Sequence, residues 1–196
     1  TVVGYSAEFF SASLPPVMVA ILTVAVLWIT SLLNAGGARL TGRLSSFAIF
    51  GSAAPVVGIC LIGWFWFDPS LYVSAWNPYH HPFSEAVSMS TSMTLWTFLG
   101  LESACANMDS IENPEKNIPI AVLSSTLGTA LVYILSTNII AGIVPNEVLA
   151  ASTAPFGLAF SAMLGGAAGK IVIALMVMAC FGSLLGWQFT IARVFC

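Results

Sequence analysis

The chain has 196 residues, 58% of them hydrophobic and 7% charged, with a net charge of −3. A soluble domain carries about 25% charged residues, so water is excluded as the solvent for most of this chain. With five Lys and Arg in all and no basic tract, nucleic acid is excluded as a partner, because nothing neutralises its phosphates.

Thr1–Phe10 reads as the tail of an earlier membrane span that ends before Pro15 and Pro16. Apolar stretches follow at about 16–35, 45–67, 87–105, 118–144 and 167–191, each close to the roughly 20 residues that cross a bilayer as a helix. In hydrocarbon every backbone group must be satisfied within its own segment, so these stretches predict an all-α bundle of transmembrane helices, one membrane domain over 1–196. The chain opens without Met, has no charged leader and stops at Cys196 just after an apolar run. It reads as an excerpt of a longer protein, without a signal peptide.

Charge placement orients the spans. Arg39, Arg43, Lys116 and Arg193 fall on one side if successive spans alternate, and Lys170 falls on the other. The positive-inside rule makes the first side cytoplasmic. The loop Asp68–Phe83 and the connection Val144–Gly166 are then outside. Trp64, Phe65, Trp66 and Phe67 end the second span on that outer side, where an interfacial aromatic belt accounts for them. His80 and His81 lack further ligands at a fixed spacing and read as a solvated loop, not a metal site. The four cysteines (Cys60, Cys105, Cys180, Cys196) show no Cys-x-x-Cys spacing, which favours buried thiols over a disulfide or metal cluster.

The third span carries the candidate chemistry. Glu8, Asp68, Glu85, Asp109, Glu112, Glu115 and Glu147 sit near span ends or in loops, whereas Glu102 lies in the apolar run MTLWTFLGLESACAN. A charged carboxylate there costs at least a few kcal/mol and normally faces a cavity that holds a cation, a proton or a partner. The competing reading is a carboxylate at the cytoplasmic end of the helix. On an unbroken helix Trp96 and Glu102 lie about 9 Å apart along the axis and about 240° around it, so they would not share a cavity. A break at Gly100 removes that objection, because glycine tolerates unwound backbone and transporters use broken helices to hold ions and charged substrates. Close helix packing is the alternative for Gly100. Trp187 in GSLLGWQF either packs in the bundle or forms one face of an aromatic box, where cation–π attraction to an ammonium is worth about 2 kcal/mol or more once desolvated. A carboxylate with two indoles suits an amine and activates no nucleophile.

FWFDPSLYVSAWNP, MTLWTFLGLESACAN, ENPEKNIPIAVL, APFGLAF and MVMACFGSLLGWQFTIA together resemble the basic amino acid–polyamine antiporter family of the amino acid–polyamine–organocation superfamily, in particular its putrescine–ornithine exchangers. The resemblance runs through essentially the whole chain. It implies a LeuT-like inverted-repeat transporter of twelve spans, of which this chain holds roughly the fourth to eighth, working as a homodimer in the bacterial inner membrane. It also implies exchange of putrescine for ornithine without a cofactor, with proton-coupled putrescine uptake as a second mode. By the same resemblance Trp96 stacks on substrate and closes the outward route. Leu99 offers a carbonyl beside Gly100 at the unwound segment, Glu102 takes part in recognition and proton coupling, and Trp187 lines the same cavity. The family's first span, with its own glycine-rich break, is absent from this chain.

Sister exchangers for cadaverine and lysine, or for agmatine and arginine, are the nearest alternative. A membrane-embedded enzyme fits poorly, since the spans hold no H-E-x-x-H and no Ser with a basic partner. One mid-span carboxylate also gives no charged ring for a channel.

Overall fold

The computed structural model describes residues 2–10, 14–78, 80–98 and 113–194, with backbone alone for 38–40, 47, 49, 93, 96–98, 193 and 194. Among the described residues it is all-helical: α1 (Val2–Phe9), α2 (Pro16–Asn34), α3 (Ala38–Ile62) with a 3-10 turn over Gly63–Trp66, α4 (Pro69–Ala75), α5 (Phe83–Phe98), α6 (Pro114–Ala141), α7 (Asn146–Ala151), α8 (Pro155–Leu164) and α9 (Gly166–Val194). Among the described residues, four segments are long and apolar enough to cross a membrane: Pro16–Asn34, Thr41–Trp66, Pro114–Ala141 and Gly166–Ala192. They correspond to the first, second, fourth and fifth predicted spans. Of the third, α5 supplies sixteen residues, and its expected continuation through Gly100 to Cys105 lies outside the described residues.

Local sequence explains where the helices start. Pro16, Pro69, Pro114 and Pro155 each open a helix, where the missing N–H is not needed and the fixed φ is already helical. Hence α6 begins at Pro114 rather than near 118, and its polar PEKN run is the first turn of a helix instead of a loop. Asp68 caps α4 by accepting from the Ser70 amide at 2.8 Å and its hydroxyl at 2.7 Å. Those bonds from Ser70 hold the Asp68 carboxyl below its usual range. Within the spans, hydroxyls return to their own helix: Thr23 donates to the Val19 carbonyl at 2.7 Å, Ser31 to Leu27 at 2.8 Å and Thr126 to Val122 at 2.7 Å. A polar side chain satisfied this way is tolerated in an apolar medium.

The helix α9 is the hub, packing on α1, α2, α3 and α8. It meets α3 through small residues. A Cβ at Gly182 would strike that of Ala48, and one at Gly51 would press on the Leu175 carbonyl. The backbones therefore approach closely, and Ser45 donates to the Gly182 carbonyl at 3.0 Å across the contact. Tyr5, Ile59, Ile139, Phe160 and Met176 centre the buried cluster. By contrast α2 exposes Val17, Ile21, Trp28 and Leu32, each by more than 60%, a surface that suits lipid or further helices and not water.

The connection after α6 is more structured than its sequence indicates. Residues 144–166 contain α7 and α8, and α8 buries Gly157, Ala159, Phe160 and Met163. At the end of the second span Trp64 and Phe65 are 51% and 83% exposed. Phe67 differs from them. It packs against Trp64 and Tyr72, with ring centroids 5.5 Å away in each case, and covers Gly142. The Asp68 amide then donates to the Gly142 carbonyl at 2.8 Å, which joins the end of α3 to the end of α6.

Candidate functional site

Of the predicted site residues, the structure places the side chain of Trp187. Leu99, Gly100 and Glu102 lie outside the described residues. Trp96 falls within α5, but its side chain is likewise outside them.

Trp187 sits on the last third of α9, where Cys180, Ser183, Leu184 and Trp187 follow at steps of three and four and so share one helix face. That face borders a groove of about 440 Å³ between α9, α2 and α1, with Thr23, Val26 and Leu27 on the α2 wall and Val2 and Val3 on α1. The indole lines this groove and is 45% exposed. Among the described residues the groove lining holds no charged side chain. The wall can therefore take up methylene groups and attract an ammonium by its π face, while the neutralising carboxylate must come from elsewhere. Glu102 was predicted for that part.

The α5 helix contributes to a second cavity. Ser90, Thr91 and Thr94 face Tyr72 of α4, Trp76 just after it and Asn138 of α6 across about 750 Å³. Tyr72 donates to Asn138 Oδ1 at 2.5 Å, and Asn138 Nδ2 donates to the Ile134 carbonyl at 2.6 Å, so α4 is fastened to α6 as its floor. Of the paired histidines, His81 lies 3.8 Å from Glu85 through Nδ1, and its backbone is held by Asn77, which donates to the His81 carbonyl at 2.9 Å and accepts from its amide at 3.1 Å. Among the described residues no three His, Cys, Asp or Glu side chains cluster to hold a metal. Cys60 and Cys180 are free thiols.

Reasoning from sequence singled out Trp187 and passed over Thr23, Leu27 and Ser183. The three-and-four spacing of Cys180, Ser183, Leu184 and Trp187 was a usable signal. The α2 wall gave none, because Thr23 and Leu27 are ordinary residues of an apolar helix until α9 is packed beside them.

Residues 1–195 match the amino acid permease family. The chain belongs to that family. It is 63% identical over 193 residues to the putrescine transporter PotE of Escherichia coli strain K12, and 63% identical to that of Haemophilus influenzae. Against the cadaverine/lysine antiporter of Escherichia coli strain K12 the identity is 33% over the same length. In each case the match covers 98% of this chain and 44% of the relative, so this chain of the permease family spans a little under half the length of the relatives it matches. The long apolar helices of this chain suit a permease family.

Proposed function

We propose that the full-length protein is a secondary transporter of the bacterial inner membrane that exchanges putrescine for ornithine by alternating access, and that it also takes up putrescine with protons. No bond is made or broken in this cycle. The observation that carries the reading is the contrast in identity, 63% to putrescine transporters against 33% to the cadaverine/lysine antiporter. The exposed Trp187 indole over an uncharged groove agrees with it, since a diamine offers methylenes for the wall and an ammonium for the π face. In this proposal the architecture is the LeuT-like inverted repeat, with the present helices as roughly the fourth to eighth of twelve spans in each subunit of a homodimer. Trp96, the Leu99 carbonyl at the break beside Gly100, and Glu102 complete the site opposite Trp187. Glu102 is the group that carries the proton in the uptake mode, because it is the carboxylate set within the apolar run MTLWTFLGLESACAN.

The test is uptake of radiolabelled putrescine by the full-length protein in liposomes preloaded with ornithine, lysine or arginine. Ornithine should give the fastest exchange. Faster exchange against lysine, with cadaverine preferred over putrescine, would assign the protein to the sister class instead.

A further inference from the structure

Next to Trp187 a chain of amide hydrogen bonds ties three helices together. Thr41 at the start of α3 donates to Asn34 Oδ1 at 2.9 Å. Asn34, the last residue of α2, donates through Nδ2 to the Leu185 carbonyl at 3.3 Å and to Gln188 Oε1 at 3.2 Å. Gln188 in turn donates through Nε2 to the Leu27 carbonyl at 3.4 Å and to Ser31 Oγ at 3.3 Å. Thr41 is 3% exposed and Leu185 1%, so the chain runs into the packed interior. Each amide donates two hydrogen bonds and accepts one, and an amide that loses its partners in a packed setting is costly.

The position of this chain gives it a second consequence. Gln188 is the residue after Trp187, and the Leu27 carbonyl it reaches belongs to a residue that lines the Trp187 groove. Neither Asn34 nor Gln188 lines the groove. Apolar contacts hold a helix against its neighbours but fix its rotation and its height weakly, because such contacts are non-directional. Hydrogen bonds are directional. A side chain lies about 5–6 Å from its helix axis, so a rotation of α9 by roughly 10° moves the indole by about 1 Å. A displacement of that size in a recognition site can cost up to about a hundredfold.

We propose that the Asn34–Gln188 amide pair is a positioning device for Trp187: it sets the rotation and height of α9 against α2, and through them the angle of the indole to the bound amine. The inference rests on the reading of Trp187 as a substrate-facing residue. Asn34 and Gln188 touch no substrate and act through the helix that carries the indole.

The experiment measures putrescine KM and Vmax for the full-length protein in proteoliposomes, with Gln188→Leu, Asn34→Leu, Trp187→Leu and the Gln188→Leu/Trp187→Leu double variant. Ser45→Ala removes a different α3–α9 hydrogen bond and serves as the packing control. Gln188→Leu and Asn34→Leu should each raise KM at least fivefold while Vmax changes less than twofold, and Ser45→Ala should leave KM within twofold. In the Trp187→Leu background, Gln188→Leu should add less than twofold. If Gln188→Leu fails to fold, Gln188→Glu keeps the acceptor for Asn34 and loses both donated bonds, and the same fivefold rise is expected. Trp187→Leu with an elevated KM but unchanged KM in the amide variants overturns the positioning role alone. Unchanged KM in Trp187→Leu overturns the substrate-facing reading, and the positioning role with it. Full multiplication of the two effects in the double variant would give the amides a separate role and also overturn the proposal.

Discussion

Glu8, in the last turn of α1, accepts from the Thr153 amide at 3.0 Å and the Thr153 hydroxyl at 2.7 Å, although 145 residues separate the two. Ser152 donates to the same carboxylate and passes its own oxygen to the Ala154 amide, which donates to it at 3.0 Å. One carboxylate thus closes the link between α7 and α8 and binds it to α1. The contact places the end of α1 and the α7–α8 link at the same end of the bundle.

The first prediction follows from that contact. Hydrogen bonds to a charged group contribute about 1.5–3 kcal/mol each when well shielded, and less when water competes. Thr153 is partly open to water, so Glu8→Ala should destabilise the full-length protein by about 1–2 kcal/mol, with Glu8→Gln falling between it and the parent. Thermal unfolding in detergent measures this. An unfolding curve for Glu8→Ala that overlays the parent would show that the carboxylate is not holding the outer connection.

Gly142 offers a second, steric test. A Cβ there would fall within the Phe67 ring, and that ring is wedged between Trp64 and Tyr72. Overpacking of this kind costs about 1–3 kcal/mol, so Gly142→Ala should lower stability by that amount. Phe67→Leu should recover most of the loss in the Gly142→Ala background while destabilising the parent on its own. Loss of stability that Phe67→Leu does not relieve would locate the glycine's role in backbone conformation and not in the close approach.

How much of this was legible beforehand depended on the kind of signal. The four spans that cross the membrane could be read because hydrophobic length is set by the bilayer and needs no knowledge of partners. Helix starts were misread at Pro114, where the polar PEKN run resembled a loop although Pro at the first position and Glu115 in the first turn fit a helix beginning. The α7 and α8 helices were missed since only six and ten residues form them, too few for periodicity to stand out. In the site, Trp187 could be picked out by its small neighbours. Asn34 could not, because its partners Leu185 and Gln188 are more than 150 residues away along the chain, and only packing brings them together.

The orientation gives a third prediction. Arg43 and Lys116 are exposed near the starts of α3 and α6, and Ser74 is exposed on α4 at the opposite end of the bundle. In full-length protein freed of its own cysteines, Ser74→Cys should react with a membrane-impermeant thiol reagent added to intact cells. Arg43→Cys and Lys116→Cys should react only after the membrane is opened. The reverse pattern would exchange the two faces and place the Glu8 contact in the cytoplasm.

The last prediction separates an aromatic box from packing at Trp96 and Trp187. The Trp187 indole is 45% exposed and lines a groove that holds no charged side chain among the described residues. Phenylalanine keeps a π face of weaker potential, whereas leucine keeps apolar bulk and loses the face. If the indoles bind the amine, putrescine affinity in the full-length protein should fall in the order Trp, Phe, Leu at each position. With attraction of about 0.5–2 kcal/mol at stake, the step from Phe to Leu should reach about twofold to thirtyfold. A packing role predicts otherwise, because apolar swaps of similar size generally cost less than about 1.5 kcal/mol of stability and leave a folded site intact. Equilibrium binding of radiolabelled putrescine, with folding verified by size-exclusion profiles, distinguishes the two. Equal affinity for the Phe and Leu variants of Trp187 in well-folded protein would assign this indole to packing, and the proposed site would then have to hold the amine without it.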